Sequence, residues 1–440
     1  MYGGPDATAY FVRETRKATW FTQVPVVLSR ASGNPAFDTE WSVSISRAGD
    51  YLLSTWLRLT TPTLTVVPSS TPNTTKLIRW TRNFMHSLLR EACITFNDLV
   101  AARFDNYHLD FWTAFTVPAS KQSGYNNMIG NINELTSAQT VLNPFTLNLP
   151  LPFFYTRDSG IALPTAALPY NDMRINFSFR KIEELLIVQT TTGAITKVTQ
   201  ATSQDYTITT SLSNVQVWAN YAIVSNDERK RMACAPRDIL IEQVQTAPRQ
   251  TFAPQNDSTP RYDIRFSHAI KVLFFGARNN TIQSSWSNYT AGQPISTTGT
   301  PDYDTAKSLV DPILQTSLIY ENTNRLSQMG SDYFSLVNPW YHAPAIPLDT
   351  GYHMYSYSLD FICLDPMGST NYGKLTNVSI VPEASSSAIA FGTSSNYKDG
   401  KYNDDTFPEL TTVQTWEFIT TAVNNNIVRV SGGALGFPCL

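Results

Sequence analysis

Five histidines, His86, His108, His268, His342 and His353, are the side chains best suited to ligate a metal or move a proton near neutral pH. No two of them stand three or four positions apart, so their spacing writes no helical metal site. Each reads better as a core or surface histidine than as a ligand. The four cysteines, Cys93, Cys234, Cys363 and Cys439, lie far apart and form no CxxC pair. They read as reduced thiols, not as a zinc site or a disulfide framework. The stretch Asp399-Gly400-Lys401-Tyr402-Asn403-Asp404-Asp405 is acidic enough to hold Ca²⁺, but it lacks the EF-hand order of ligands and the closing Glu. A turn around Asp-Gly in an exposed loop is the better reading. Ser159 has a carboxylate neighbour, Asp158, but no strand–turn–helix setting for a nucleophile elbow. Arg229-Lys230-Arg231 reads as the solvated face of a helix, not as a localisation patch. The motifs GxSxG, HExxH, GxGxxG and GxxxxGK[ST] do not occur. No catalytic, cofactor-binding or metal-ligating residue is therefore assigned, and no cofactor is expected.

Composition narrows the class of function. Charged residues make up 15% of the 440 positions, well below the usual quarter or so. Lys+Arg is 32 against Asp+Glu 35, a net charge of −3, which opposes a dedicated nucleic-acid binder. Aromatics at 12% oppose disorder. No apolar run reaches the roughly 18 residues of a membrane span. Met1 to Lys17 carries charges and no apolar stretch, so it does not read as a secretory signal. The six Asn-x-Ser/Thr tripeptides, at Asn73, Asn176, Asn256, Asn279, Asn288 and Asn377, are then expected to be unused.

The elements that would position these residues are mostly strands. Two-residue alternation marks Trp41–Ser46 and Tyr355–Phe361. Further strand-like runs are Tyr51–Leu59, Leu147–Phe154, Met173–Phe179, Val215–Val224, Ile239–Val244, Val272–Phe275 and Ile427–Val430. Turn-forming Pro, Gly, Asn and Asp clusters separate them. The pattern predicts an all-β, antiparallel sandwich or jelly-roll architecture. Two helices are expected. Ser225-Asn226-Asp227-Glu228 has the form of a capping box, and Pro236 ends the helix that follows. Another starts near Asp105 and carries His108, Leu109, Phe111, Trp112 and Phe115 at spacings of three and four. Asn97–Asn143 and Glu383–Pro408 are the longest stretches between strands. The first is expected to be ordered and the second to be a mobile surface loop.

The capped helix falls at mid-chain, and a faint repeat surrounds it. Gln23-Val24 recurs as Gln243-Val244, Ile45-Ser46-Arg47-Ala48 as Phe266-Ser267-His268-Ala269, and Leu52 as Leu273. The offset of 220 or 221 is half the chain, which fits a duplicated fold.

Longer segments carry a family resemblance. RDSGIALPTAALPYNDMRINFSF (Arg157–Phe179), SDYFSLVNPWYHAPAIP (Ser331–Pro347), DPMGSTNYGKLTN (Asp365–Asn377) and GGALGFPCL (Gly432–Leu440) resemble the major capsid proteins of iridoviruses. RETRKATWFTQVP (Arg13–Pro25) and NDLVAARFDNYHLDFW (Asn97–Trp112) resemble those of the invertebrate iridescent viruses in particular. The resemblance spans essentially the whole chain. It implies two eight-stranded jelly rolls, a double jelly roll, at 1–224 and 237–440, with a helical connection at 225–236. It implies a homotrimer in which six jelly rolls make a pseudo-hexagonal capsomer that tiles an icosahedral shell. Implied surroundings are minor capsid and penton proteins and an internal viral membrane, without direct contact with nucleic acid. Implied locations are the outer shell of the virion and assembly in the host cytoplasm. Family members carry a further N-terminal segment before the position of Met1, so either that segment is missing here or the start falls at an internal Met. The Asn97–Asn143 insertion is expected to serve a trimer contact or the outward crown, and its deletion to leave folded monomers. Two other classes fit an all-β chain: a carbohydrate-binding or carbohydrate-cleaving β-sandwich, and a secreted adhesin. No motif places a carboxylate pair for the first, and the second lacks a signal.

Overall fold

The protein is described from a computed structural model at residues 11, 18–68, 75–192, 194–291, 311–393 and 413–437. Cys439, the Asn73 sequon, the acidic stretch 399–405 and most of Met1–Lys17 lie outside those residues.

Alternation becomes strand wherever one face can be buried. Met173–Phe179 alternates buried and half-buried positions without a break, and Tyr51–Thr60 buries Leu52, Leu57 and Leu59. Eight strands build the first half: β1 (Phe21–Val27), β2 (Glu40–Ser44), β3 (Tyr51–Thr60), β4 (Leu89–Phe96), β5 (Leu99–Asp105), β6 (Thr146–Pro150), β7 (Met173–Phe179) and β8 (Ser213–Val224). They form two antiparallel sheets, ordered β1-β8-β3-β6 and β2-β7-β4-β5, with Arg30–Ser32 added beside β2. Eight more build the second half: β9 (Arg237–Thr246), β10 (Tyr262–Ile264), β11 (Ala269–Asn279), β12 (Ile313–Tyr320), β13 (Thr323–Gly330), β14 (His353–Ser356), β15 (Val378–Ala384) and β16 (Trp416–Ser431). Their sheets run β9-β16-β11-β14 and β10-β15-β12-β13, with short strands at the margins of the first. Adding eight to every strand number of the first half reproduces the second. The fold is the double jelly roll. Each residue pair of the faint repeat falls on equivalent strands or just after them: β1 and β9, the ends of β2 and β10, β3 and β11. Leu52 and Leu273 are both core residues.

Helices are short. They are α1 (Phe84–Leu88), α2 (Asn106–Thr116), α3 (Ala119–Ile129), α4 (Asn133–Thr136), α5 (Asn226–Cys234), α6 (Asn338–His342) and α7 (Ser386–Thr393). Asp105 caps α2 by accepting the His108 N–H at 2.9 Å. None of the described helices is long and apolar enough to cross a membrane.

Four expectations need correction. Leu147–Phe154 stays a strand only to Pro150, because Pro150 and Pro152 cannot extend the ladder. Tyr355–Phe361 leaves the ladder after Ser356. Ser356 Oγ bonds the Ser358 carbonyl at 2.7 Å and Ser358 Oγ bonds the Asp360 carbonyl at 3.0 Å. These local bonds compete with pairing. At α5 the helix forms, but Ser225 makes no side-chain cap, so the capping box does not close. Finally, within Glu383–Pro408 the described residues are β15's end, the buried Ser385 and α7, whose Ser387 and Ala388 are buried; that part is no mobile surface loop.

Candidate assembly interface

The Asn97–Asn143 insertion supplies the contact that joins the halves. β5 leads through the Asp105 cap into α2. Spacing of three and four then puts Tyr107, Phe111, Trp112 and Phe115 on one helix face. That face lies on the outer side of the second half's β9-β16-β11-β14 sheet, against Val272, Phe274, Met354, Tyr352, Phe361, Ile419 and Val423. Phe111 and Phe115 both stack on Phe274, at 6.1 and 5.6 Å between centroids. Gly276 makes the close fit possible. A Cβ there would stand 3.0 Å from the Phe111 ring and 2.8 Å from the Gly351 carbonyl oxygen. The first half's core also runs across the seam, taking in Ile239, Ile241, Val428 and Val430 from β9 and β16. The expectation that the insertion serves a trimer contact or the crown, and is dispensable for the monomer, is therefore corrected for α2. The helix is an internal wedge whose Tyr107, Phe111, Trp112 and Phe115 rings are all buried.

Polar groups on the seam are paired across it. Glu242 of β9 accepts from Arg157 Nε at 3.0 Å and from Lys271 Nζ at 2.6 Å, with all three side chains largely buried. The Arg157 guanidinium sits 3.9 Å above the Trp112 ring, a desolvated cation–π contact. Burial pulls the Arg157 pKa down, and Glu242 beside it opposes that shift. Glu417 accepts from Arg278 at 2.6 Å and from Tyr107 at 3.1 Å. Trp286 carries both Arg180 and Arg278 guanidinium groups within 4.1 Å and donates its indole N–H to the Glu184 carbonyl at 2.8 Å.

The most enzyme-like cluster surrounds Asp110. It borders a cavity of about 790 Å³ between α2, α3 and the 343–349 segment. Asp110 Oδ1 faces His86 Nδ1 at 2.8 Å and accepts from Asn83 at 3.4 Å. Its Oδ2 accepts from Ser287 at 3.0 Å and Tyr289 at 3.2 Å, while His86 Nε2 meets the Tyr125 hydroxyl at 2.6 Å. A carboxylate has about four acceptor sites, and all four are taken. The arrangement locks side chains from both halves and leaves no lone pair for a substrate.

The other residues weighed for chemistry do not converge. His108 is wholly buried with neither ring nitrogen partnered. Burial, helped by Arg157, pushes its pKa down to about 3. His353 pairs with Asp311 at 2.9 Å and stacks on Phe275. His342 faces the Leu359 carbonyl oxygen at 3.0 Å, and His268 occupies a left-handed position, φ 63°. Cys93, Cys234 and Cys363 are free thiols. Among the described residues no three His, Cys, Asp or Glu side chains are grouped for a metal. Ser159 lies on an exposed 3-10 turn beside Asp158. Arg229 of the basic run reaches Asp50 at 2.8 Å, and Lys230 and Arg231 face solvent. Asn279 and Asn288 are buried, and Asn279 is bonded to Thr290 and Gln414, so these two sequons are closed to a glycan.

Comparison with known proteins supplies what a site without reactive groups does not. Residues 9–224 match the family model for the major capsid protein N-terminus, and residues 228–436 match that for the large eukaryotic DNA virus major capsid protein. The chain is 60% identical over 451 residues to the major capsid protein of Costelytra zealandica iridescent virus, covering 100% of this chain and 95% of that protein. The chain belongs to this capsid protein family. The major capsid protein of Invertebrate iridescent virus 6 is 59% identical, with 100% and 95% covered. Among solved structures, VP54 of PBCV-1 superposes with a TM-score of 0.78 at 19% identity, covering 98% of this chain and 100% of that one. The iridovirus resemblance is thereby confirmed, as is the double jelly-roll fold. The role is that of a structural capsid protein in the virion shell, and these relationships do not favour the carbohydrate-binding alternative.

Proposed function

We propose that this capsid protein works by assembly alone, as a homotrimer whose six jelly rolls form a pseudo-hexagonal capsomer. The working units are 1–224 and 237–440, joined by the connection 225–236. Support comes chiefly from the seam. It fuses two sandwiches of identical strand order into one rigid body through an aromatic wedge and paired charges. Rigid bricks of repeated shape can close a ring by a head-to-tail contact that meets itself after three copies. Low charge and abundant aromatics suit such contacts, whose centres exclude Lys, Glu and Asp. No catalytic step belongs to this reading, since the best candidate carboxylate is saturated by its neighbours. Trimers then tile the outer shell alongside minor capsid and penton proteins, over an internal membrane, in particles assembled in the host cytoplasm. Nucleic acid is not touched. Mass photometry of the purified chain tests the central claim. The expected species has three times the 49.1 kDa chain mass, and a persistent monomer at micromolar concentration overturns it.

A further inference from the structure

The duplicated topology gives every surface of one half a counterpart on the other, so the seam identifies two surfaces that ought to meet and do not meet within one chain. In the seam, the insertion between β5 and β6 presents α2 to the outer face of the sheet β9-β16-β11-β14. Beside it, first-half turns at Phe154–Thr156 and Ser159–Ile161 pack on β9. The counterpart of that insertion lies between β13 and β14. It too is helical, with a single π-turn (Tyr333–Val337) running into α6. It too is aromatic, and Phe334 is buried against Phe275 of its own half, but its outer apolar side chains face solvent. Trp340 is 72% exposed and Tyr341 74%, with Leu336, Val337 and Leu348 exposed beside them. Leu359, in the segment after β14 that corresponds to the first-half turns, is 70% exposed.

The receiving surface is open in the same way. The counterpart of the covered sheet is β1-β8-β3-β6. Its outer face bears Trp56 on β3 and Trp218 on β8, paired in register and stacked at 6.1 Å, both half-buried. Covered Val272 and Phe274 occupy the equivalent side of β11. β1 is exposed at six of its seven residues, including Phe21, Val24 and Val27. By contrast its counterpart β9 buries Ile239 and Ile241 against the first half. Large exposed aromatics on both members of a matched pair of surfaces are the mark of an interface.

We propose that the seam is repeated between copies of this chain. The α6 edge of one copy, with Trp340, Tyr341 and Leu359, packs on the β1-β8-β3-β6 face of the next, around Trp56 and Trp218. This rests on the trimer reading and assigns its contact. One chain uses the first-half wedge on its own second half. The second-half wedge is then left for the following copy's first half, so that wedge and face alternate around a closed ring.

The full-length protein and its Trp340→Ala/Tyr341→Ala double variant test this by mass photometry across nanomolar to micromolar concentration. Truncating two central aromatic anchors is expected to weaken association on the order of 30-fold or more per contact, giving monomers at concentrations where the parent is trimeric. Thermal unfolding should be unchanged in the monomer, since both rings lie in solvent there. A trimeric parent with an equally trimeric variant overturns the assigned surface and leaves the trimer standing. A monomeric parent overturns both. Because the variant could misfold, a second measurement uses Trp340→Cys with Trp218→Cys in a Cys234→Ser background and a short bis-maleimide. A covalent ladder up to trimer, requiring both cysteines, supports the contact, and its absence from a trimeric sample overturns it.

Discussion

At the scale of residues, the seam contains a histidine whose titration opposes folding. The His108 pKa is depressed to about 3 by burial, against 6.5 when exposed. Between those values the unfolded chain binds the extra proton, so His108 removes stability as pH falls through 6.5 towards 3. Asp105, three residues earlier on the same turn, works in the opposite direction. Burial raises its carboxyl to about 6 from 3.8, against the pull of the His108 N–H and Arg180. The folded chain therefore holds that proton more tightly, and stability is gained as pH falls from 6 to 3.8. The two slopes largely offset in the natural protein. His108→Leu, of similar volume and with no ring nitrogens to bury, unmasks Asp105. Its stability relative to the parent should rise by on the order of 1 kcal/mol per unit as pH falls from 6.5 to 4. Urea titrations at several pH values measure this, and a pH-independent difference contradicts it. Glu242 offers a second test. Glu242→Gln leaves Lys271 buried beside Arg157 without a carboxylate, and about 3–5 kcal/mol should be lost in the same assay. Asp238→Asn, which breaks the exposed pair with Arg429, should move the midpoint little. None of these roles was legible from residue type alone. Glu242 owes its environment to Arg157, 85 positions earlier, and to Lys271, 29 positions later, and the charge acting on His108 is that same Arg157; no local spacing encodes that.

At the scale of elements, periodicity was readable where an element buries one face and misleading where side chains bond their own backbone. Met173–Phe179 alternates because β7 is central in its sheet, and its limits in the sequence are those of the strand. α2 announced itself by aromatic spacing, although its destination did not. Its neighbour α3 left no signal, because ASKQSGYNNMI buries only Ile129 and has no apolar stripe. Tyr355–Phe361 alternates as well as any strand, yet its serines, not its tyrosines, are the better buried residues before Phe361, and the ladder stops at Ser356. The approach of α2 to β11 depends on the missing side chain at Gly276. Gly276→Val should force the Phe111 ring and the Gly351 turn apart, costing on the order of 1–3 kcal/mol by overpacking. Phe111→Ala should cost about 3–5 kcal/mol by leaving a cavity. If the wedge is the cause in both, the double variant should be less destabilised than the sum, because the truncated ring no longer meets the added methyl groups. Strict additivity in thermal or urea unfolding would place the Gly276 effect elsewhere.

At the scale of the whole molecule, the half-length repeat carried the architecture, since its few shared residues fall on equivalent strands. Which faces of the two halves meet was not carried by it, because the inserted helices that make the contact share no recognisable sequence. The seam also determines whether either half can stand alone. Released from the first half, the sheet β9-β16-β11-β14 would expose Val272, Phe274, Ile419 and Val423 together, while the first half would expose Phe111, Trp112 and Phe115. Aromatic side chains bury about 150–250 Å² each, so each cut surface exceeds the few hundred Å² that a soluble monomer leaves open. Glu242, Lys271, Arg278 and Glu417 would lose part of their pairing or shielding at the same time. Residues 237–440 produced alone should therefore aggregate. Co-production with 1–236 should yield a soluble complex of the two pieces, detected by size-exclusion chromatography. A monodisperse, cooperatively unfolding 237–440 would show that the halves fold as independent sandwiches. The rigidity that the capsomer requires would then have to come from contacts between copies, not from the wedge inside each chain.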